Sequence, residues 1–227
     1  MTEKLFKNVF YIIISLILSL LLLLTATEIV VFDMDYYKNQ YKKNNIPATV
    51  GVEEKDLMES TEKLLDYLKD KRGNLDFKTK INGEEKEFFS ERDKLHMIDV
   101  KHLFVAGRKI RNGIFIFFLI LAAFFISKKI RCDFGKYFLV SSIVGIMPFG
   151  ILVILMKIDF YKYFTMFHEI FFSNDLWLLD PKVDRLANIF PEIFFYDTAI
   201  KIIIYYLTVQ FVLFILGLII MLKKRKL

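Results

Sequence analysis

VFYIIISLILSLLLLLTATEIVV, residues 9–31, is the stretch that decides the fold. Its one charged residue is Glu28. At ~1.5 Å per residue it is long enough to cross a ~30 Å hydrocarbon core. Three more apolar stretches follow, at Ile114–Ser127, Tyr137–Met156 and about Thr198–Leu222. The second is short, so it must thin the bilayer or draw on the helix before it, with Lys109 and Arg111 snorkelling. The third carries Pro148, which predicts a kink. The chain is 55% hydrophobic, with 25 Phe and 11 Tyr, and its mean hydropathy is +0.41. That balance excludes an ordinary soluble domain and predicts an integral membrane protein.

The net charge of +6 is concentrated beside the apolar stretches. Lys4 and Lys7 precede the first. Lys128, Lys129, Arg131 and Lys136 separate the second from the third, and Lys223, Lys224, Arg225 and Lys226 follow the fourth. This is a topology signal, not a nucleic-acid footprint, and no nucleic-acid partner is expected. It predicts a cytoplasmic N-terminus, 127–136 loop and C-terminus, with the long intervening segments outside. Lys4 and Lys7 ahead of an apolar run also fit a secretory leader. The run is too long for a typical leader core, so an uncleaved anchor is expected. No cysteine stands directly after it, so the chain is not expected to be a lipoprotein itself. The single cysteine, Cys132, leaves no internal disulfide and no cysteine-based metal cluster. The predicted fold class is mainly α: a four-span transmembrane helix bundle with a small extracytoplasmic α+β cap. We read residues 1–227 as a single integral membrane domain, with the cap at about 33–110 and a second outer segment at about 157–197.

Within the cap, Val52–Asp70 reads as an amphipathic helix. Leu57, Thr61, Leu64, Leu65 and Leu68 recur at helical spacing, and Gly73-Asn74 is expected to end it. Leu75–Phe89 reads as a β-hairpin turning at Asn82-Gly83. That turn pairs Ile81 with Glu84, Lys80 with Glu85, Lys78 with Glu87 and Phe77 with Phe88, so opposite charges face one another. Ser90–Arg111 reads as a helix feeding the second span, with His96, Asp99, Val100 and Leu103 on one face. His102 lies well round that helix and reads as a surface residue. In the second outer segment, Asp180-Pro181 looks like an N-cap with proline at the first helical position. Val183, Leu186 and Ile189 would follow, and Pro191 would stop the helix.

The chain has only 3 histidines, and two of them fall beside predicted spans on the same face. His96 lies in ERDKLHMIDVK, residues 91–101. His168 lies in FHEIFFSNDLWLLDPKVDRLANIFPEIFF, residues 167–195. Two imidazoles at one membrane face suit acid–base chemistry on a lipid-borne substrate. From spacing alone, two interfacial histidines with ordinary hydrogen-bond partners read equally well. Asp99, Glu169, Asn174 and Asp180 are candidate supporting residues. Three of them also have a plain reading: Asp99 is solvated, Asn174 shapes a turn, and Asp180 caps a helix. Phe167, Phe171 and Trp177 are candidates to line a substrate cavity, although an aromatic belt accounts for them too. No H-E-x-x-H, P-loop, dinucleotide fingerprint or G-x-S-x-G is present, and no metal site is expected.

These two histidine segments, with the four-span layout, resemble the Lit family, the lipoprotein intramolecular transacylases of bacteria. The likeness covers nearly the whole chain. It implies a catalytic role for two histidines, which map onto His96 and His168. It implies a reaction without cofactor in the bacterial cell membrane, on the outer side. The sn-2 acyl chain of a diacylglyceryl-cysteine lipoprotein would move to the α-amino group of the same cysteine, giving the lyso-form. The implied partners are that lipoprotein, in the outer leaflet, and membrane lipid. The alternative is a non-enzymatic accessory or sensor protein with a lipid- or metal-binding outer cap. A transporter is disfavoured, because the spans hold few ionisable residues and show no internal repeat.

Overall fold

The computed structural model describes residues 2–128 and 133–225. Lys129, Arg131, Cys132 and Lys226 of the charge pattern lie outside the described residues. Helix follows helix in chain order: α1 (Thr2–Val31), α2 (Met34–Lys43), α3 (Ile46–Val50) and α4 (Glu54–Leu68). After the strands β1 (Lys78–Ile81) and β2 (Glu84–Glu87) come α5 (Glu91–Ser127), α6 (Phe134–Ile158) and α7 (Phe160–Phe171). The chain closes with α8 (Arg185–Ile189) and α9 (Glu192–Arg225). Among the described residues, four helices are long and apolar enough to cross a membrane: α1, α5, α6 and α9. The short second stretch does draw on the helix before it, because α5 is unbroken over 37 residues. Its first turns carry Glu91, Arg92, Asp93, Lys94, Asp99 and Lys101 and stand outside its apolar part.

The chain divides into two compact units. The first comprises 1–28, 108–158 and 199–227. Its outward side chains are apolar, with Ile120 64%, Ile126 78% and Phe211 61% exposed, which suits contact with lipid. Its interior is polar in places. Tyr206 donates to the Gly145 carbonyl at 3.1 Å, and Gln210 Nε2 donates to Tyr206 Oη at 2.7 Å and Ser19 Oγ at 3.3 Å. Without a hydrophobic drive between helices in lipid, such small residues and interhelical hydrogen bonds hold spans together. Arg108 and Arg111 reach the Glu28 carboxylate at 3.2 and 3.4 Å, so Arg111 is paired within the protein.

The second unit comprises 29–107 and 159–198. Helix α4 buries Leu57, Thr61, Leu64, Leu65 and Leu68, the face the periodicity predicts. It stops at Leu68, five residues before Gly73, because Asp70 already turns into left-handed backbone at φ 61°. The hairpin forms in the predicted register, with Lys78, Lys80 and Ile81 opposite Glu87, Glu85 and Glu84, and Phe77 stacked on Phe88 at 5.6 Å. Glu87 pairs with Lys94 and Glu84 with Lys86, so the ion pairs differ from those the facing charges suggest. Helix α2 has no counterpart in the sequence reading. Its Tyr37 and Tyr41 pack on Phe190 and Phe194, and Tyr41 Oη lies 2.8 Å from Thr61 Oγ1. Gln40 and Lys43 both bond Asp197.

The turn Asn82-Gly83 has φ 51° and 82°, and it hangs on Gly51 through a 2.8 Å bond from Asn82 N to the Gly51 carbonyl. Gly51 is itself left-handed at φ 66°, and the Asn82 side chain occupies the space its Cβ would need. Gly83 has open space there. Gly83→Ala is therefore expected to cost about 1–2 kcal/mol, the strain of left-handed backbone alone. Gly51→Ala should cost more. Thermal unfolding of both variants in detergent checks the order.

Candidate active site

The site is built where α5 begins. Ser90 and Asp93 form a reciprocal cap: Asp93 N donates to Ser90 Oγ at 2.9 Å, and Ser90 N donates to Asp93 Oδ2 at 3.1 Å. One turn later α5 presents His96. Helix α7, capped by Asp159 accepting from Lys162 N, presents His168 near its other end. The two imidazoles face one another with ring centroids 6.2 Å apart. Both are buried, at 7% and 8% exposure.

Aromatic rings enclose the pair. Phe172 lies 5.4 Å from the His96 ring and 5.6 Å from the His168 ring. Phe164, Trp177 and Phe167 lie 4.3, 5.0 and 5.5 Å from the His168 ring. Phe171 stacks on Phe167 and does not reach the imidazoles directly. This dry setting penalises an imidazolium. Burial, with His168 beside it, pulls His96 down to about 4, and Arg92 adds to that while Asp99 opposes it. Burial lowers His168 too, against a hydrogen bond to Phe164 that raises it. The His168 Nδ1 lies 2.7 Å from the Phe164 carbonyl, which can only accept. Nδ1 therefore carries the hydrogen, and Nε2 keeps its lone pair. The buried Nδ1 of His96 has no hydrogen-bond partner among the described residues.

The supporting residues fare unequally. Asp99 accepts from Asn174 Nδ2 at 2.8 Å, and the two border an open pocket of about 260 Å³ with His102, Leu103, Phe171, Phe172 and Ser173. Asn174 also shapes its turn, accepting from Leu176 N at 3.1 Å. Glu169 is exposed and lies off the pair. Asp180 does not cap a helix. It accepts from Lys182 N within a turn, and α8 starts only at Arg185. Val183 is accordingly 71% exposed, not packed on a helix face. The acid at the proper N-cap position, Asp184, turns away to accept from Ser90 Oγ at 2.7 Å and Asp180 N at 2.8 Å. The carboxylate that caps α8 is Asp93, which accepts from Arg185 N at 3.0 Å and Leu186 N at 3.3 Å. Asp93 is fully buried, and burial pushes its carboxyl up against these N–H donors. Glu91 pairs with Lys94 and takes no part in the cap.

Asp93, Arg92, Phe164 and Phe172 are site residues that sequence reasoning did not single out. Ser90-x-x-Asp93 was legible as a helix start. Nothing in the sequence marks the other three.

A family model of the lipoprotein intramolecular transacylase Lit matches residues 12–195. Lit of Bacillus cereus, a membrane-integral lipoprotein intramolecular transacylase, has the same fold. It is 24% identical, with a TM-score of 0.82 over 99% of this chain and 100% of that one. A second structure of it, with one histidine changed to alanine, matches at a TM-score of 0.75 and 24% identity, over 99% and 100% of the two chains. The comparison with curated proteins finds no match. With its four apolar helices and this family match, the protein is a multi-pass membrane acyltransferase. The chain belongs to the Lit family, and its activity is that of a lipoprotein intramolecular transacylase.

Because His96 stays neutral down to about pH 4 when folded, acid should destabilise the protein. An unfolded histidine takes up its proton near pH 6.5. Between those values the unfolded chain binds more protons, so stability falls as pH falls, by up to roughly 3 kcal/mol from this one residue. Thermal unfolding from pH 7.5 to 4 should therefore show a shallower acid loss for His96→Gln than for the parent protein.

Proposed function

We propose that His96 and His168 catalyse the transfer of the sn-2 acyl chain of a diacylglyceryl-cysteine lipoprotein to that cysteine's α-amino group. The observation that carries this reading is the meeting of the two imidazoles inside an apolar aromatic enclosure. The amine attacks the ester carbonyl, forming the C–N bond and placing negative charge on the carbonyl oxygen. The nitrogen becomes cationic and must lose a proton. His168 Nε2, whose lone pair is left free by the Nδ1–H bond to Phe164, is suited to take it. The same imidazolium then returns the proton to the glyceryl oxygen as the C–O bond breaks. Both oxygen and nitrogen are attached to one carbon, so a single ring serves both transfers. A ring N–H of His96 stabilises the oxyanion, an interaction strengthened where water is excluded. The products are an N-acyl amide and a free hydroxyl, with no net proton taken up.

The acid–base setting fits the task. An α-amino group titrates near 7.7–8.0, so a fraction of it is neutral at physiological pH. Burial keeps both imidazoles neutral there, ready to accept or donate without prior deprotonation. Nucleophile and ester belong to one molecule, so holding the reactive shape supplies much of the acceleration. Phe167 and Trp177 on the His168 ring, with Phe171 on Phe167, offer apolar surface for the acyl chain. Asp99 and Asn174 border a neighbouring pocket that shares Phe172 with the pair.

The second compact unit serves in this reading as an outer cap, with both termini in the cytoplasm and the histidines facing the outer leaflet. The support is the clustering of Lys and Arg beside the spans. A membrane-impermeant thiol reagent should leave Cys132 unlabelled in intact cells, and labelling would reverse the orientation.

Either His96→Ala or His168→Ala should slow conversion of a diacylglyceryl lipopeptide to its N-acyl lyso-form by at least ~100-fold. The double variant should lose less than the product of the two effects, because the residues act as a unit. Mass spectrometry of the lipopeptide after incubation with purified protein reads the outcome. Near-normal conversion by a single variant would remove that histidine from the mechanism. Exhaustive metal chelation should leave the rate unchanged, because both proton transfers are assigned to imidazoles.

A further inference from the structure

The turn after α7 is held by α5. Arg92 Nε donates to the Leu178 carbonyl at 3.2 Å, and its Nη2 donates to the Asp175 carbonyl and lies 3.5 Å from the Asp175 carboxylate. These two carbonyls flank Trp177, whose indole lies over the His168 ring at 5.0 Å with 31° between the planes. Asp99 holds the same turn from one helical turn beyond His96, through Asn174. Arg92, His96 and Asp99 stand at i, i+4 and i+7 on α5, so one helix face carries the histidine and both attachments of its cover.

We infer that Arg92 is a positioning residue of the transacylase site: it clamps the 175–178 turn and thereby seats Trp177 on His168. A guanidinium suits this because its fixed fork can reach two carbonyls at once, which an ammonium cannot do with the same reach. The bonds run to backbone oxygens, so the clamp fixes the path of the chain and not one side chain. With the indole seated, one face of His168 is closed to water and the ring stays neutral. The activity arm of the test rests on the catalytic reading of His168, and the spectroscopic arm does not.

Trp177 is the one tryptophan of the chain, so fluorescence excited beyond the tyrosine absorption band reads this turn alone. A protonated imidazole quenches a neighbouring indole more than a neutral one. The parent protein in lipid nanodiscs should lose emission on acidification, with a midpoint below that of an ordinary imidazole, and His168→Ala should abolish the step. The charged and titratable groups around this reading are His96, Arg92 and Asp99 on α5, Asp175 in the turn, and the exposed Glu169 on α7. Arg92→Ala should make Trp177 more accessible to acrylamide, move the midpoint upward toward pH ~6.5, and lower kcat ~10-fold or more with a smaller change in KM. Arg92→Lys keeps the charge but not the fork, so it should follow the alanine variant, and it carries the test if alanine does not fold.

An unmoved Trp177 in both variants would overturn the clamp. Full recovery of all readouts by lysine would overturn it in favour of a charge effect on His96. A freed Trp177 with unchanged kcat would overturn the positioning role, and the histidine variants would still test the reaction separately.

Discussion

Two helices begin at one buried carboxylate, and the candidate site depends on it. Asp93 accepts from the backbone N–H groups of Ser90, Arg185 and Leu186, which belong to segments far apart in the chain. The first N–H groups of a helix have no partner inside it, and burying them unpaired is costly. Asp93 satisfies such groups at the start of α5 and of α8 together. Arg185 then donates to the Phe88 carbonyl at 2.7 Å, which fastens the hairpin to the same point. His96 stands one turn along α5 from this anchor. Its orientation is thus inherited from a hydrogen-bonded junction and not from the aromatic packing alone.

That rigidity matters because the imidazoles are kept in an unfavourable place for a charged group. An aromatic enclosure lowers both pKa values, which weakens each ring as a base. In the proposed reaction the compensating gain is electrostatic. In a dry site a single N–H aimed at a developing oxyanion counts for more than it would in water. The proton being moved also helps, since a nitrogen that has just attacked an ester is far more acidic than a free ammonium. A weak, neutral and well-placed base is enough for that step. In the proposed reaction, the same burial favours neutral catalytic groups, because a permanently charged one would be expensive to hold in an apolar setting.

The parts of the structure that were legible in the sequence are those set by short-range periodicity. The apolar runs gave the spans, Leu57 through Leu68 gave the buried face of α4, and Asn82-Gly83 gave the hairpin and its register. The two histidines were legible as a pair because they flank spans on one predicted face. What the sequence hid is what long-range hydrogen bonds decide. Asp180-Pro181 has the local form of a helix start, yet α8 begins at Arg185, because its cap comes from Asp93 across the fold. A local rule assumes that a helix end must be satisfied by its neighbours in sequence, and a distant carboxylate removes that need.

The same blindness applies to Arg92 and Phe172. Arg92 lies in a run of alternating charges that reads as a solvated helix face, and nothing local shows that its partners are carbonyls of a turn beyond α7. Phe172 is one of several phenylalanines around His168, but among the described ones it alone packs on both imidazoles, because its backbone has left the helix and become extended. Its N–H still bonds the His168 carbonyl at 2.8 Å. That last helical hydrogen bond carries the ring round to the α5 side of the pair. The termination of α7 is therefore part of the site: one more helical turn would carry Phe172 on along the helix and separate the Trp177 turn from α5.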